Sequence, residues 1–207
     1  MKKLQSFPIE RQALGGFTLI ETLIAILILT LSIVGPFQVV QGVLSSAYNA
    51  RDQLVAAGLA QEAMEYTRMV RDSNYLYNAQ VGANTVTWLN GMDGNNGPNC
   101  YYSPAPANGN HPCRIEPRAM DVTSSRFYAN GSLVLCTDST GLSCPHPLYV
   151  DSFGVYNQQD IGTVSKYTRV MTLTKINDHE TMVTVTVTWE NHGAKSVTVS
   201  ENLQDWL

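Results

Sequence analysis

Hydrophobic positions fall into three patterns along the chain. From Phe17 to Val34 they form a nearly continuous block, broken only by Thr18, Glu21, Thr22, Thr30 and Ser32. Eighteen residues at 1.5 Å each make about 27 Å of helix, close to the hydrocarbon thickness of a bilayer. Lys2, Lys3 and Arg11 precede the block against the single acid Glu10, and a polar region follows it. This charge asymmetry predicts a cytoplasmic N-terminus. Gly35-Pro36 then predicts a kink or local unwinding, because proline removes a helical hydrogen bond. Helical spacing resumes at Val40, Leu44, Ala47, Leu54, Ala57, Gln61 and Met64, which predicts an amphipathic second half. The expected end is near Asp72-Ser73-Asn74. Counted from Phe17, an unbroken helix would be roughly 84 Å long, with Arg68 and Arg71 complementing the dipole at its C-terminus.

The third pattern has period two. Residues 182 to 189, M-V-T-V-T-V-T-W, alternate valine with threonine, so Val183, Val185, Val187 and Trp189 should face the helix. Residues 167 to 176 are strand-like in composition, Asn177-Asp178-His179-Glu180 reads as a turn, and Asn191-His192-Gly193 leads into Ser196 to Val199. A three-stranded antiparallel meander covered by the helix follows. Between helix and meander, residues 78 to 112 are rich in Gly, Pro and Asn, which is loop chemistry. The fold class expected is α+β. A basic leader (1–16) precedes an apolar helix (17–35), an amphipathic helical half (36–75), a loop-rich region (76–165) and the β-meander (166–207).

Composition narrows the class. Charged residues make up 14% of the 207 residues and the net charge is −4. The charge fraction is well below the roughly 25% of soluble domains, which suits a membrane-delivered protein that packs against its own kind. Nucleic acid is not an expected partner, since its binding needs clustered Lys and Arg. Cys100, Cys113, Cys136 and Cys144 all lie among loop residues. In an exported protein an even count reads as two disulfides, and the sequence-local pairs Cys100–Cys113 and Cys136–Cys144 close the shortest loops. A zinc site using His111 or His146 competes with this reading but lacks any C-x-x-C spacing. Asp93-Gly94-Asn95-Asn96-Gly97 has a faint likeness to a calcium loop but lacks its downstream acid. Asn130-Gly131-Ser132 is a short glycosylation match. His111, His146, His179 and His192 fall in predicted loops, and no nucleophile, phosphate-loop or zincin motif occurs. No catalysis, cofactor or metal is expected.

The small-residue pair Gly15-Gly16 precedes the apolar block, whereas a secretory signal carries its cleavage site after it. Cutting there would leave the hydrophobic helix on the mature chain. The stretch G-G-F-T-L-I-E-T-L-I-A-I, residues 15 to 26, resembles the class III signal of type IV prepilins and type II secretion pseudopilins. The stretches 57 to 65 and 68 to 75, and the ending L-Q-D-W-L, resemble minor pilins and minor pseudopilins. The resemblance implies cleavage between Gly16 and Phe17 by a prepilin peptidase, then N-methylation of Phe17. It also implies that Glu21, the fifth mature residue, meets the Phe17 amine of an adjoining subunit. An ionised group at the centre of a membrane helix costs about 2.5–3.5 kcal/mol and usually marks function. The implied partners are the peptidase, other pilin or pseudopilin subunits, an inner-membrane assembly platform and membrane lipid. The implied location is a single pass of the inner membrane, then an extracellular or periplasmic filament. A minor pilin of a type IV pilus is the leading expectation. A type II secretion minor pseudopilin, or a tip adhesin or DNA-uptake pilin, is the alternative.

Overall fold

The computed structural model describes residues 15–82, 84–95, 97, 99–101, 112–116, 146–191 and 193–206, together with the backbone of 133–135. Helix α1 spans Leu19–Val81, 63 residues. Among the described residues seven strands follow: β1 Cys113–Ile115, β2 Leu133–Leu135, β3 Pro147–Val150, β4 Tyr156–Asn157, β5 Thr163–Asn177, β6 Glu180–Glu190 and β7 Ala194–Gln204. The chain divides into two units, one ending at Tyr48 and one running from Asn49 to Leu207.

In the first unit α1 is apolar and buries nothing. Every large apolar side chain from Phe17 to Tyr48 is at least 51% exposed. The stretch is long and apolar enough to cross a membrane. Pro36 lies inside the helix, which is assigned without a break through the expected unwinding point.

The second unit, the head, is α+β, with the rest of α1 packed on an antiparallel sheet. β5, β6 and β7 form the meander, in register from Tyr167 opposite Trp189 and from Val187 opposite Val197. The other edge of β5 is shared: β3 pairs its N-terminal half and β1 pairs it at Met171. Val183, Val185 and Val187 are fully buried and Trp189 is 5% exposed. Alternation along β6 therefore sends valines inward and leaves the intervening threonines partly open. Their hydroxyls pair across strands, Thr186 with Thr198 at 3.2 Å and Thr184 with Ser200 at 3.0 Å.

Three expectations need correction. Helix α1 continues to Val81 and ends at Gly82, whose φ of +72° is the left-handed conformation of a glycine cap. Its N–H reaches the Asn78 carbonyl at 3.0 Å. Asp72-Ser73-Asn74 does not stop the helix because the inward polar side chains find partners. Asn74 donates to the carbonyls of Trp88 and Asn90 at 3.1 and 3.0 Å, and Ser73 bonds back to Met69. Arg68 and Arg71 consequently lie about three turns before the helix end and do not cap its dipole.

The buried stripe is also out of phase with the expected one. It runs through Asp52, Ala56, Leu59, Ala60, Ala63, Met64, Thr67 and Val70. Met64 belongs to both stripes, whereas Leu54 is 75% exposed and Gln61 is exposed. A spacing rule that seeks apolar residues cannot begin a stripe at an aspartate. Finally, the region expected to be loop contains β1 to β4, strands of two to four residues.

Candidate functional site

Gly15, Gly16 and Phe17 form an exposed, non-helical lead into α1, with Phe17 80% exposed. A Cβ built on Gly15 or Gly16 would meet nothing within 4 Å, and neither glycine has positive φ. The chain's own fold therefore places no demand for glycine at either position. Residues 1 to 14 of the leader lie outside the described residues.

The helix starts with a cap the sequence reading overlooked. Thr18 is the N-cap, and its hydroxyl oxygen accepts the Glu21 N–H at 3.3 Å. The spacing T-L-I-E matches a capping box, in which threonine and a glutamate three residues later bracket the first turn. Glu21 thus occupies the first turn, where the partial positive charge of the helix end favours an anion by about 0.3–1 kcal/mol. That offset is smaller than the roughly 2.5–3.5 kcal/mol attached to a charge at mid-membrane. In the first unit Glu21 has no salt-bridge partner among the described residues.

In the head, charged residues of α1 fasten it to the sheet. Where α1 enters the head, Asp52 accepts from Lys166 Nζ at 2.6 Å, Asn191 Nδ2 at 3.0 Å and the Tyr167 hydroxyl at 3.2 Å. The Lys166 bond, assisted by the other two, holds the Asp52 carboxyl below its ordinary range against the opposing effect of burial. Burial pushes the Tyr167 phenol upward.

Two turns further on, the guanidinium of Arg169, 1% exposed, reaches the Leu59 carbonyl at 3.0 Å, Glu62 Oε2 at 2.6 Å and the Ile115 carbonyl at 2.8 Å. One side chain on β5 so grips α1 and β1 together. Further along, Arg68 joins Glu65 and the β7 residue Glu201. Arg71 stacks over the Trp206 ring at 4.4 Å. Tyr75 donates to Asp205, and burial followed by that acceptor pushes its pKa up to about 12.

A disulfide joins Cys100 to Cys113 with Cα atoms 5.4 Å apart. Both cysteines are fully buried, and the bond ties the turns after α1 to β1. Cys136 and Cys144 lie outside the described residues, as do His111, His192 and the 130–132 sequon. His146 pairs with Asp160 at 3.4 Å. Asp93 uses its carboxylate within its own turn, accepting the Asn95 N–H at 2.9 Å and the Thr87 hydroxyl at 2.6 Å. Among the described residues no three His, Cys, Asp or Glu side chains gather as a metal site.

The sequence singled out Glu21 and the glycine pair, which lie within seven residues of one another at the start of α1. It missed the three fastenings, although an arginine among inward-facing positions of a strand (Arg169, Met171, Leu173) was a usable signal. No protein-family description, curated protein or solved structure matches the chain.

Proposed function

We propose that this chain is a structural subunit, a minor pilin, of a type IV pilus or related filament. In this reading a prepilin peptidase cuts between Gly16 and Phe17, and the apolar half of α1 holds the subunit in the membrane until it enters the filament core. The observation that carries the reading is the order of parts at the N-terminus. Two glycines that the fold does not require stand directly before a helix whose apolar first half, through Tyr48, is exposed and whose first turn carries an acid. A second molecule that must approach the backbone closely is a physical reason for glycine there.

Cleavage would free the amine of Phe17. A cation from a neighbouring subunit would then offset what the helix dipole leaves uncompensated at Glu21. Such a pair selects register more than it adds stability, because both charges lose water. The head, with its own core, disulfide and ion pairs, would ride outside. The reading assigns the chain no reaction of its own.

Two measurements test this. In cells that possess the peptidase, mass spectrometry should find a mature chain beginning at a methylated Phe17. Recovery of chains that retain residues 1–16 would end the proposal. Glu21→Ala should be trimmed like the parent chain yet be depleted from sheared filaments, and parental incorporation would remove Glu21 from the mechanism.

A further inference from the structure

The head holds a groove of about 760 Å³ that none of these roles uses. Its walls come from the last turns of α1, the turns over residues 84–93, the β5–β6 hairpin and Asp205. The volume is that of an ordinary small-ligand site, roughly 300–1,000 Å³. Three aromatic residues from separate segments, Tyr75, Trp88 and Tyr101, share the lining with carboxamides and carboxylates. We propose that this groove binds an uncharged oligosaccharide.

Charge separates the candidate ligands. Among the described residues the only basic lining residue is Lys175, which is already paired with Asp178 at 2.6 Å. Phosphate, sialic acid and nucleic acid would find no free cation among them. The carboxylates are engaged as well: Asp205 by Tyr75 and His179, and Asp93 within its own turn, so a metal or polyamine would have to displace existing partners. Aliphatic side chains are a minority of the lining, which disfavours a lipid. Sugars combine apolar C–H faces with hydroxyl edges, and aromatic surfaces beside carboxamides match both.

The walls are preorganised. Asn78 donates to the Val86 carbonyl at 2.8 Å and accepts the Thr85 and Val86 N–H groups. Tyr101 meets Thr181 at 3.3 Å. Little side-chain freedom remains to be lost on binding. Two polar groups stay uncommitted among the described residues, the Trp88 indole N–H and the exposed Asn84 carboxamide.

The test uses the full chain in a detergent without a sugar headgroup. Neutral tetrasaccharides of glucose, galactose and N-acetylglucosamine are titrated while tryptophan fluorescence is read, with sialyllactose and spermidine as comparison arms. Saturable binding of at least one neutral sugar is expected, weakened about tenfold by Trp88→Ala and by Asn84→Ala. Asn84 is exposed and unpartnered, so its variant keeps the test readable if Trp88→Ala unfolds. Absence of binding to every neutral sugar, preference for sialyllactose or spermidine, or binding indifferent to Asn84→Ala would each overturn the proposal. Binding is measured on unassembled chains, so the outcome is independent of filament entry.

Discussion

Arg169→Met tests what holds the head's layers together. Methionine ends where Arg169 Nε stands and removes the guanidinium, trading its bonds for an apolar side chain of similar volume. The side chain makes three bonds: to Leu59 O at 3.0 Å, Glu62 at 2.6 Å and Ile115 O at 2.8 Å. Glu62 has a side chain 39% exposed and can return to water, so its share is that of a surface pair, about 0–1 kcal/mol. The Leu59 carbonyl retains its helical partner. The Ile115 carbonyl does not, and a buried acceptor left unmade costs about 1–3 kcal/mol, with charged donors adding about 1.5–3 kcal/mol per bond. On the other side, Arg169 Nε is already buried without a partner, an existing penalty of about 1–3 kcal/mol that the variant relieves. The balance is a loss of about 2–3 kcal/mol. Urea unfolding of the full chain in detergent, read by tryptophan fluorescence, measures it. Amide exchange at Ile115 should accelerate before the meander opens. Arg169→Lys, which keeps the charge without the fork, should recover less than half. If Arg169→Met matches or exceeds the parent in stability, as apolar replacements of buried ion pairs often do, then the guanidinium is not what joins β1 to α1.

Two further outcomes follow from the other fastenings. Replacing Cys100 and Cys113 together by Ala removes a crosslink spanning 13 residues and should lower unfolding free energy by about 3 kcal/mol, read as a lower urea midpoint; a midpoint unchanged in the double variant would show the turns are fixed without it. The Asp52 carboxyl is held below its ordinary value by Lys166, so its contribution is present at neutral pH and is lost as pH falls from about 4 through the lower folded value. Asp52→Asn should flatten the acid limb of a stability profile below about pH 4, and an identical limb in the variant would refute the coupling.

How much of this was legible follows from what each pattern encodes. The β6 alternation was readable because a period of two admits only two faces, and Val183, Val185 and Val187 fill one of them. The apolar half of α1 was readable from length alone. The second half was misphased because its inward face mixes Asp52, Thr67, Arg71 and Asn74 with small alanines. Asp52 and Asn74 are satisfied by partners 14 or more residues away and Thr67 by its own preceding turn, while Arg71 pairs with its neighbour Asp72 and lies over Trp206, and no local rule contains these partners. The helix end was misplaced for the same reason, since Asn74 resembles a breaker until Trp88 and Asn90 supply acceptors. Strands as short as β4 carry no period at all, and β4 forms only because β3, itself paired to β5, presents an edge.

The glycines of α1 separate demands made inside the chain from demands made outside it. Gly35 and Gly42 are helical, exposed and surrounded by open space where a Cβ would stand. Mid-helix glycine costs about 0.5–1 kcal/mol relative to alanine, and nothing within the subunit offsets that cost. Their spacing of seven puts them on one face of a helix, where small residues let a second helix approach in an apolar medium. In the isolated subunit Gly42→Leu should leave helicity and membrane retention intact or slightly raised. On the proposed filament reading the same change should exclude the chain from filaments, because a leucine cannot share the space left by a hydrogen. Circular dichroism of the detergent-held chain and immunoblots of sheared filaments read the two halves. Normal incorporation of Gly42→Leu would mean that no neighbouring helix packs on that face, and the account of why glycine stands there would fail.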